Sequence, residues 1–415
     1  MPESADKKVI GYLVPEFPGQ THIFLWREYQ ALIDLGVTVK LVSTRRPPRK
    51  VRSHDWSAHA ESITSYLLPF SLSDIGVISG VLLKAGPSGW VNCVRAVLRA
   101  RMTAKEKLKL AGMIPFAAKL AGLARKQGWH HVHVASCGNT ANIAMFSTLL
   151  NGPTYSLALL GPRLSTYGPN QDQKWRHAAF GLFQSEQLYA EAKEKIPDAL
   201  PALVDVAPVG VNLDVMKRQS PYLPWQPPQS PRIYCCGRLN QIKGHTYLIE
   251  AVRLLREKGL DAKLSIAGED EKGGAGYRTV IEAFIKDHGM SDHVELLGAV
   301  SEDRNREGYG AAHIYAMGSL DEAAGAVAAM EAMAMEWPVV MSSVGAPSEP
   351  IEDGVDAVLV PPKAPAEQAE AIYEILMNPD LAVKLGQAGR AKIARKFSHR
   401  RSAEKINEFL NRILV

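Results

Sequence analysis

Apolar positions in this chain come as short continuous runs alternating with longer stretches at helical spacing, and the alternation starts twice. Residues 8–15 (KVIGYLVP) form an apolar run bounded by Pro, the pattern of a strand buried on both faces. Residues 24–35 then place apolar side chains at helical spacing and stop at Gly36, a helix-end signal. Residues 37–43 read as a second strand, and 131–135, 154–160 and 181–185 as further strands of the same sheet. Strand, helix, strand in this order predicts an open, mostly parallel α/β sheet. The second half repeats it. Residues 232–236 predict a strand, 245–258 a helix ended by Gly259, and 263–267 a strand, followed by strands at 294–297, 314–317 and 339–341. Between the halves lies PYLPWQPPQSP (221–231), whose prolines can continue neither a helix nor a central strand. The chain therefore divides into a first α/β domain (1–208), a linker (209–231), a second α/β domain (232–395) and a closing helical segment (396–415). Two such domains place a ligand cleft at the carboxyl ends of both sets of strands.

Composition narrows the function classes. A chain of 415 residues is longer than one core usually organises, which agrees with two domains. A net charge of +5 is too small for wholesale nucleic-acid binding. Cys93, Cys137, Cys235 and Cys236 form no C-x-x-C pair and read as buried free thiols of a reducing compartment. The polar start MPESADKK has no apolar segment behind it, and no run approaches the ~18 residues that span a bilayer, so a cytoplasmic protein is expected, at most resting on a membrane.

The densest chemistry lies in the second half. Gly237-Arg238-Leu239 follows a predicted strand, and Lys243-Gly244 precedes a predicted helix. Arginine can grip two phosphate oxygens at once, lysine adds a point charge, and a helix start offers N–H groups to an anion. Downstream, Glu331 sits in a small-residue helix predicted over 323–335, ahead of a strand at 338–341 and a loop bearing Glu349. A carboxylate among alanines and methionines is costly unless something hydrogen-bonds it. Two cations for phosphates and a carboxylate for two ribose hydroxyls suit a nucleoside diphosphate. The plain alternative is a surface cation pair and an exposed helix glutamate.

Over nearly its whole length the chain resembles the family 4 glycosyltransferases, the retaining group with the GT-B fold. The resemblance is carried by GRLNQIKGHTYLIEAV, LSIAGED, VELLGAV, MEAMAMEWPVVMSSVGAPSEPIEDGVDAVLVPP and KFSHRRSAEK, and in the first half by VIGYLVPEFPGQTHIFLWREYQALIDLGVTVKLVSTR and VDVAPVGVNLDVM, which fit the exopolysaccharide (colanic-acid-type) branch. It implies two Rossmann-like domains facing each other across a cleft, with the last helix crossing back to the first domain. It implies a nucleotide-diphosphate sugar as donor, UDP-sugar first, no other cofactor and no metal. It assigns Arg238 and Lys243 to the diphosphate and Glu331 to the ribose. Gly19 and Gly325 would approach the phosphates, and Leu297 would flank the base. The acidic pair of the family motif would have its first member at 323, but Ala323 stands there; Glu322 reaches that place only by a one-residue slip. A histidine common in related chains is replaced by Leu160. The polar run 167–177 is then either a source of substitute groups near the acceptor or a surface loop. These two departures keep open a non-catalytic relative that binds nucleotide or a partner and regulates glycan assembly.

Two further patterns remain. His131 and His133 share a strand face, but no acid or Cys sits beside them to complete a metal set. From 84 to 126, ten Lys and Arg are interleaved with apolar residues against a single acid, Glu106, which fits either helices lying on anionic lipid, presenting the cleft to a lipid-linked or glycan acceptor, or domain helices with a solvated basic face. No nucleic-acid-binding motif accompanies the charge. A nicotinamide dehydrogenase would need G-x-G-x-x-G after the first strand, and VPEFPGQ has none.

Overall fold

The computed structural model describes residues 8–19, 21–48, 52, 54–161, 163–270, 272–322, 327–345 and 351–414. Among them the twofold alternation becomes two parallel sheets. The first comprises β1 (Val9–Glu16), β2 (Thr38–Arg45), β3 (Ser65–Tyr66), β4 (His131–Val134), β5 (Thr154–Leu159), β6 (Gly181–Phe183) and β7 (Val204–Val206), in the order β3-β2-β1-β4-β5-β6-β7. The second comprises β8 (Arg232–Cys236), β9 (Lys263–Ala267), β10 (Val294–Gly298), β11 (Ile314–Met317), β12 (Val339–Ser342) and β13 (Val358–Val360), in the order β10-β9-β8-β11-β12-β13. Helices cover both faces, so strands such as β4 and β12 are buried at every residue, and apolar runs rather than alternation mark them in sequence.

Both sheets reverse strand order beside their first strand. β1 lies between β2 and β4, and β8 between β9 and β11. A crevice opens at the carboxyl end of such a strand, where its two neighbours' connections leave in opposite directions. β1 therefore delivers Phe17-Pro18-Gly19 to one crevice, and β8 delivers Gly237-Arg238 to the other.

The closing helix, Arg401–Ile413, belongs to the second half in sequence and to the first in packing. Ala403, Ile406, Phe409 and Leu410 form one stripe at helical spacing and share an apolar cluster with Ile10, Tyr12 and Leu25. The two crossings between the halves touch, with Val211 N–H donating to the Phe397 carbonyl at 2.9 Å. A Cβ on Gly210 would meet that oxygen at 2.2 Å, so only glycine lets the strands of chain pass this closely.

The basic region folds as helices Leu72–Arg99, Ala104–Ala111 and Ile114–Gln127, the first kinked at Gly86-Pro87, where φ of Gly86 is 64°. Its side chains divide more sharply than the sequence pattern implies. Val97, Met102, Met113, Ile114 and Phe116 pack against the core, and Lys119 is buried, 2.9 Å from Asp74. Leu83, Trp90, Val91, Val94, Leu98 and Leu108 stay exposed, Leu83 at 81% and Leu108 at 75%.

Candidate functional site

The turn after β8 is built to hold Lys243. Asn240 Oδ1 accepts the Lys243 backbone N–H at 3.1 Å, and Gly244 closes the turn at φ 59°. A Cβ on Gly244 would meet the Gly318 carbonyl at 1.8 Å, so glycine is required both for the conformation and for the chain lying on top. That chain is the segment leaving β11, and its Leu320 N–H donates to the Ile242 carbonyl at 2.6 Å. The stacking carries Glu322 onto Lys243. The two form an ion pair, and Ser319 Oγ donates to Glu322 Oε1 at 2.8 Å. Helix His245–Glu257 begins directly after the turn, so its free N–H groups and Lys243 face one region. Glu322 thus reaches the lysine despite its offset of one residue.

Glu331 lies on helix Val327–Ala334 and is 5% exposed. Asn305 Nδ2 donates to its Oε2 at 3.4 Å, and Asn305 is itself fixed by Tyr234 Oη of β8 at 2.8 Å. Burial raises the Glu331 pKa, and Arg27 opposes that rise. Arg27 comes from helix Ile23–Asp34 of the first half, with Nη2 2.9 Å from Glu331 Oε1 and 2.6 Å from Glu302 Oε1. The glutamate is buried and partnered across the cleft, not on an exposed helix face.

The first half brings His22 within electrostatic reach of Arg238. Gly19 is buried after β1, and a Cβ there would lie 3.1 Å from His22 Nδ1. The His22 pKa falls to about 4 through burial first, then the Arg238 charge, then His54. His22 is neutral at physiological pH and can offer a hydrogen bond but no charge. An aromatic stack steadies this wall. Phe17 is 5.9 Å from the His22 ring and 5.8 Å from Trp56, and Trp56 is 4.9 Å from His54.

Sequence reasoning missed Arg27, His22 and His54. His22 stands one residue beyond the PGQT run and was legible there. His54 lies in a loop with no periodicity. Arg27 looks like the polar face of an amphipathic helix until the second half covers it.

The other expected residues are placed as follows. Leu297 lies near the end of edge strand β10, two strands from β8. Gly325, Ala323 and Glu349 lie outside the described residues. Leu160, 9% exposed, joins the apolar cluster of Ile10, Val14 and Ala135, and its carbonyl accepts from Tyr167 Oη. The polar run after it is not a plain surface loop, since several of its side chains point inward. Gln173 Nε2 donates to the Ala96 carbonyl at 3.0 Å, and Lys174 Nζ, 1% exposed as a residue, donates to that of Cys137 at 2.9 Å. These side chains tie the first half together because the backbone carbonyls they meet are buried and need donors. His131 and His133 are likewise internal. Their rings hydrogen-bond Thr154 and Ser156 of β5 at 2.8–2.9 Å and stack near Phe180. Among the described residues, no three His, Cys, Asp or Glu side chains gather as metal ligands would, and no helix is long and apolar enough to cross a membrane.

Two parallel α/β domains with facing crevices, a Pro-rich linker and a returning last helix define the GT-B fold. Solved structures agree over almost the whole chain. Sucrose-phosphate synthase from Thermosynechococcus elongatus superposes with a TM-score of 0.72 at 19% identity, covering 98% of this chain and 99% of that one. Anabaena Alr3699/HepE in complex with UDP and glucose gives 0.72 at 16% identity, covering 98% and 99%. Residues 225–392, most of the second half, match the family model described as glycosyl transferases group 1. Among curated relatives, a D-inositol 3-phosphate glycosyltransferase of Paenarthrobacter aurescens is 30% identical over 222 residues, covering 51% of this chain and 53% of that protein. A GDP-mannose-dependent alpha-(1-6)-phosphatidylinositol monomannoside mannosyltransferase of Mycobacterium tuberculosis is 27% identical over 188 residues, covering 44% and 48%. The chain thus matches about half the length of these relatives.

Proposed function

We propose that this protein is a retaining glycosyltransferase of the exopolysaccharide-type branch, moving a sugar from a nucleotide-diphosphate sugar, UDP-sugar first, to a hydroxyl of a glycan or lipid-linked acceptor. The carrying observation is the convergence of Arg238, the Lys243 turn and Glu331 around the β8 crevice, facing Gly19 and His22 of the β1 crevice. The group 1 match over 225–392 and the glycosyltransferase names of the relatives support this reading.

In the proposed reaction, the acceptor oxygen attacks the anomeric carbon from the face the diphosphate leaves. The new C–O bond forms as the bond to the β-phosphate oxygen breaks, and the acceptor proton passes to that departing oxygen. Arg238 and Lys243 stabilise the charge growing on the diphosphate, in place of a metal. Gly19 and Gly325 let backbone N–H groups approach the phosphates, Leu297 flanks the base, and Glu331 holds the ribose. Glu322, which pairs with Lys243, would contact the transferred sugar. Closure of the two halves excludes the water that would hydrolyse the donor. The exposed apolar and basic side chains of 84–126 would rest on the anionic inner face of the plasma membrane and present the cleft to a lipid-linked acceptor.

The test is nucleoside diphosphate release from a panel of UDP-, GDP- and ADP-sugars, with and without added glycan and lipid acceptors. Release from one donor is expected and names it. Silence across the panel favours the non-catalytic binder.

A further inference from the structure

Arg27 is 4% exposed, and its contacts bridge the two halves of the molecule. Nη2 carries both ion pairs, to Glu302 and Glu331, while Nε and Nη1 are buried without a hydrogen-bond partner. Glu331 is the carboxylate that the proposed function gives to the ribose, and its Oε1 already faces a cationic N–H. Two ribose hydroxyls would have to donate to the same carboxylate, which at 5% exposure is closed to a ligand while the guanidinium lies on it. Glu302 differs, since its side chain keeps 22% exposure. A guanidinium has five N–H donors, and one held by a single nitrogen is less firmly fixed than one engaged as a two-nitrogen fork. Arg27 therefore sits where it can be exchanged.

We propose that Arg27 is a positioning residue for the nucleotide subsite: it occupies Glu331 until the ribose of a nucleoside diphosphate takes its place, while its pair with Glu302 keeps the two halves latched. The proposal rests on the reading of Glu331 as the ribose acceptor. The Arg27 contact opposes the rise that burial gives the Glu331 pKa in the absence of ligand. It also lowers nucleotide affinity, because the Arg27–Glu331 contact must break before the ribose binds. On this account the first half senses the nucleotide directly, although the phosphate and ribose groups belong to the second.

The experiment is calorimetric titration of the full chain with UDP, GDP and ADP, alongside the nucleotide-free radius of gyration from small-angle scattering. Wild type is compared with Arg27→Met and Arg27→Lys. Arg27→Met is expected to bind whichever nucleotide the wild type binds more tightly, by roughly fivefold or more, the lower end of ordinary coupling between sites. Its nucleotide-free radius of gyration should also grow. Arg27→Lys, a point charge able to meet one carboxylate at a time, should move both readouts in the same direction by less. It carries the test if the methionine variant does not fold. Simple structural damage would weaken nucleotide binding, so tighter binding is not its signature. An unchanged radius of gyration, or weaker binding in the variants, overturns the proposal. Binding of none of the three nucleotides by wild type overturns the reading of Glu331 and the exchange with it. A larger radius in Arg27→Met would then still support the latch, so the two failures are told apart.

Discussion

At the scale of single residues, the site is a set of charges that answer one another before any ligand arrives. Lys243 meets Glu322, and Glu331 meets Arg27. A nucleoside diphosphate would replace these internal partners with phosphate oxygens and ribose hydroxyls. Glu331→Ala removes an acceptor for two hydroxyls, and hydrogen bonds to a charged group contribute about 1.5–3 kcal/mol. Donor kcat/KM should accordingly fall roughly 10- to 100-fold, chiefly through KM, in steady-state assays at varied donor concentration. An unchanged KM would remove Glu331 from the ribose. Residue-scale legibility followed the chain's local grammar. Arg238 and Lys243 stand beside glycines at strand and helix ends, where backbone approach and cation coincide. Arg27 could not be read that way, because its partner Glu302 lies 275 residues further on. Nothing within its own helix announces the contact.

At the scale of elements, helices such as Asn139–Leu149 and Pro379–Lys396 went unread, whereas the long strands, whose burial on both faces writes apolar runs, and the helices at 24–35 and 245–258 were legible. β3, β7 and β13 were not, since two or three residues at a sheet edge or beside one carry too little periodicity. The polar run 167–177 was ambiguous for a different reason. Sequence shows polarity but not whether buried carbonyls wait for it, and Gln173 and Lys174 answer such carbonyls inside the first half. The basic helices show the same limit. Their charge count was legible, whereas the kink at Gly86-Pro87 and the burial of Lys119 decide which side chains face outward. The exposed side chains that remain include Leu83, Trp90, Leu98 and Leu108 along with Lys84, Arg95, Arg99 and Lys105. Apolar area and positive charge together favour anionic lipid over neutral lipid. Co-sedimentation should recover the protein with phosphatidylglycerol-containing vesicles but not with phosphatidylcholine alone. Leu98→Glu with Leu108→Glu should abolish recovery while leaving the melting temperature near wild type. Equal recovery with both lipids would argue for a solvated face.

At the scale of the whole molecule, two switch-point crevices face each other, and a returning helix ties the second half to the first. This architecture follows from the sequence order of strands, since each half begins with the strand that ends up central. The relation between the halves follows from contacts that only the folded chain creates. Stability carries a pH signature of the same packing. Burial lowers the pKa of His131 and His133 to about 3 and that of His245 to about 4. In the unfolded chain these groups take up a proton near their ordinary pKa of about 6.5, before the folded chain does. Proton linkage therefore costs little stability at pH 7, and stability is lost as the pH falls below about 6.5, at about 1.4 kcal/mol per pH unit for each histidine. The melting temperature should drop steeply between pH 6.5 and 5, above the range where most carboxylates titrate. A flat profile in that window would show that these histidines are not held neutral in the core.

The most direct test of the central claim is a crystal structure of the protein with UDP bound. The account predicts the diphosphate between Arg238, the Lys243 turn and the Gly19 loop, with the ribose hydroxyls on Glu331 and Arg27 drawn to Glu302. A nucleotide seated elsewhere, with Glu331 still paired to Arg27 and Arg238 away from the phosphates, would contradict it.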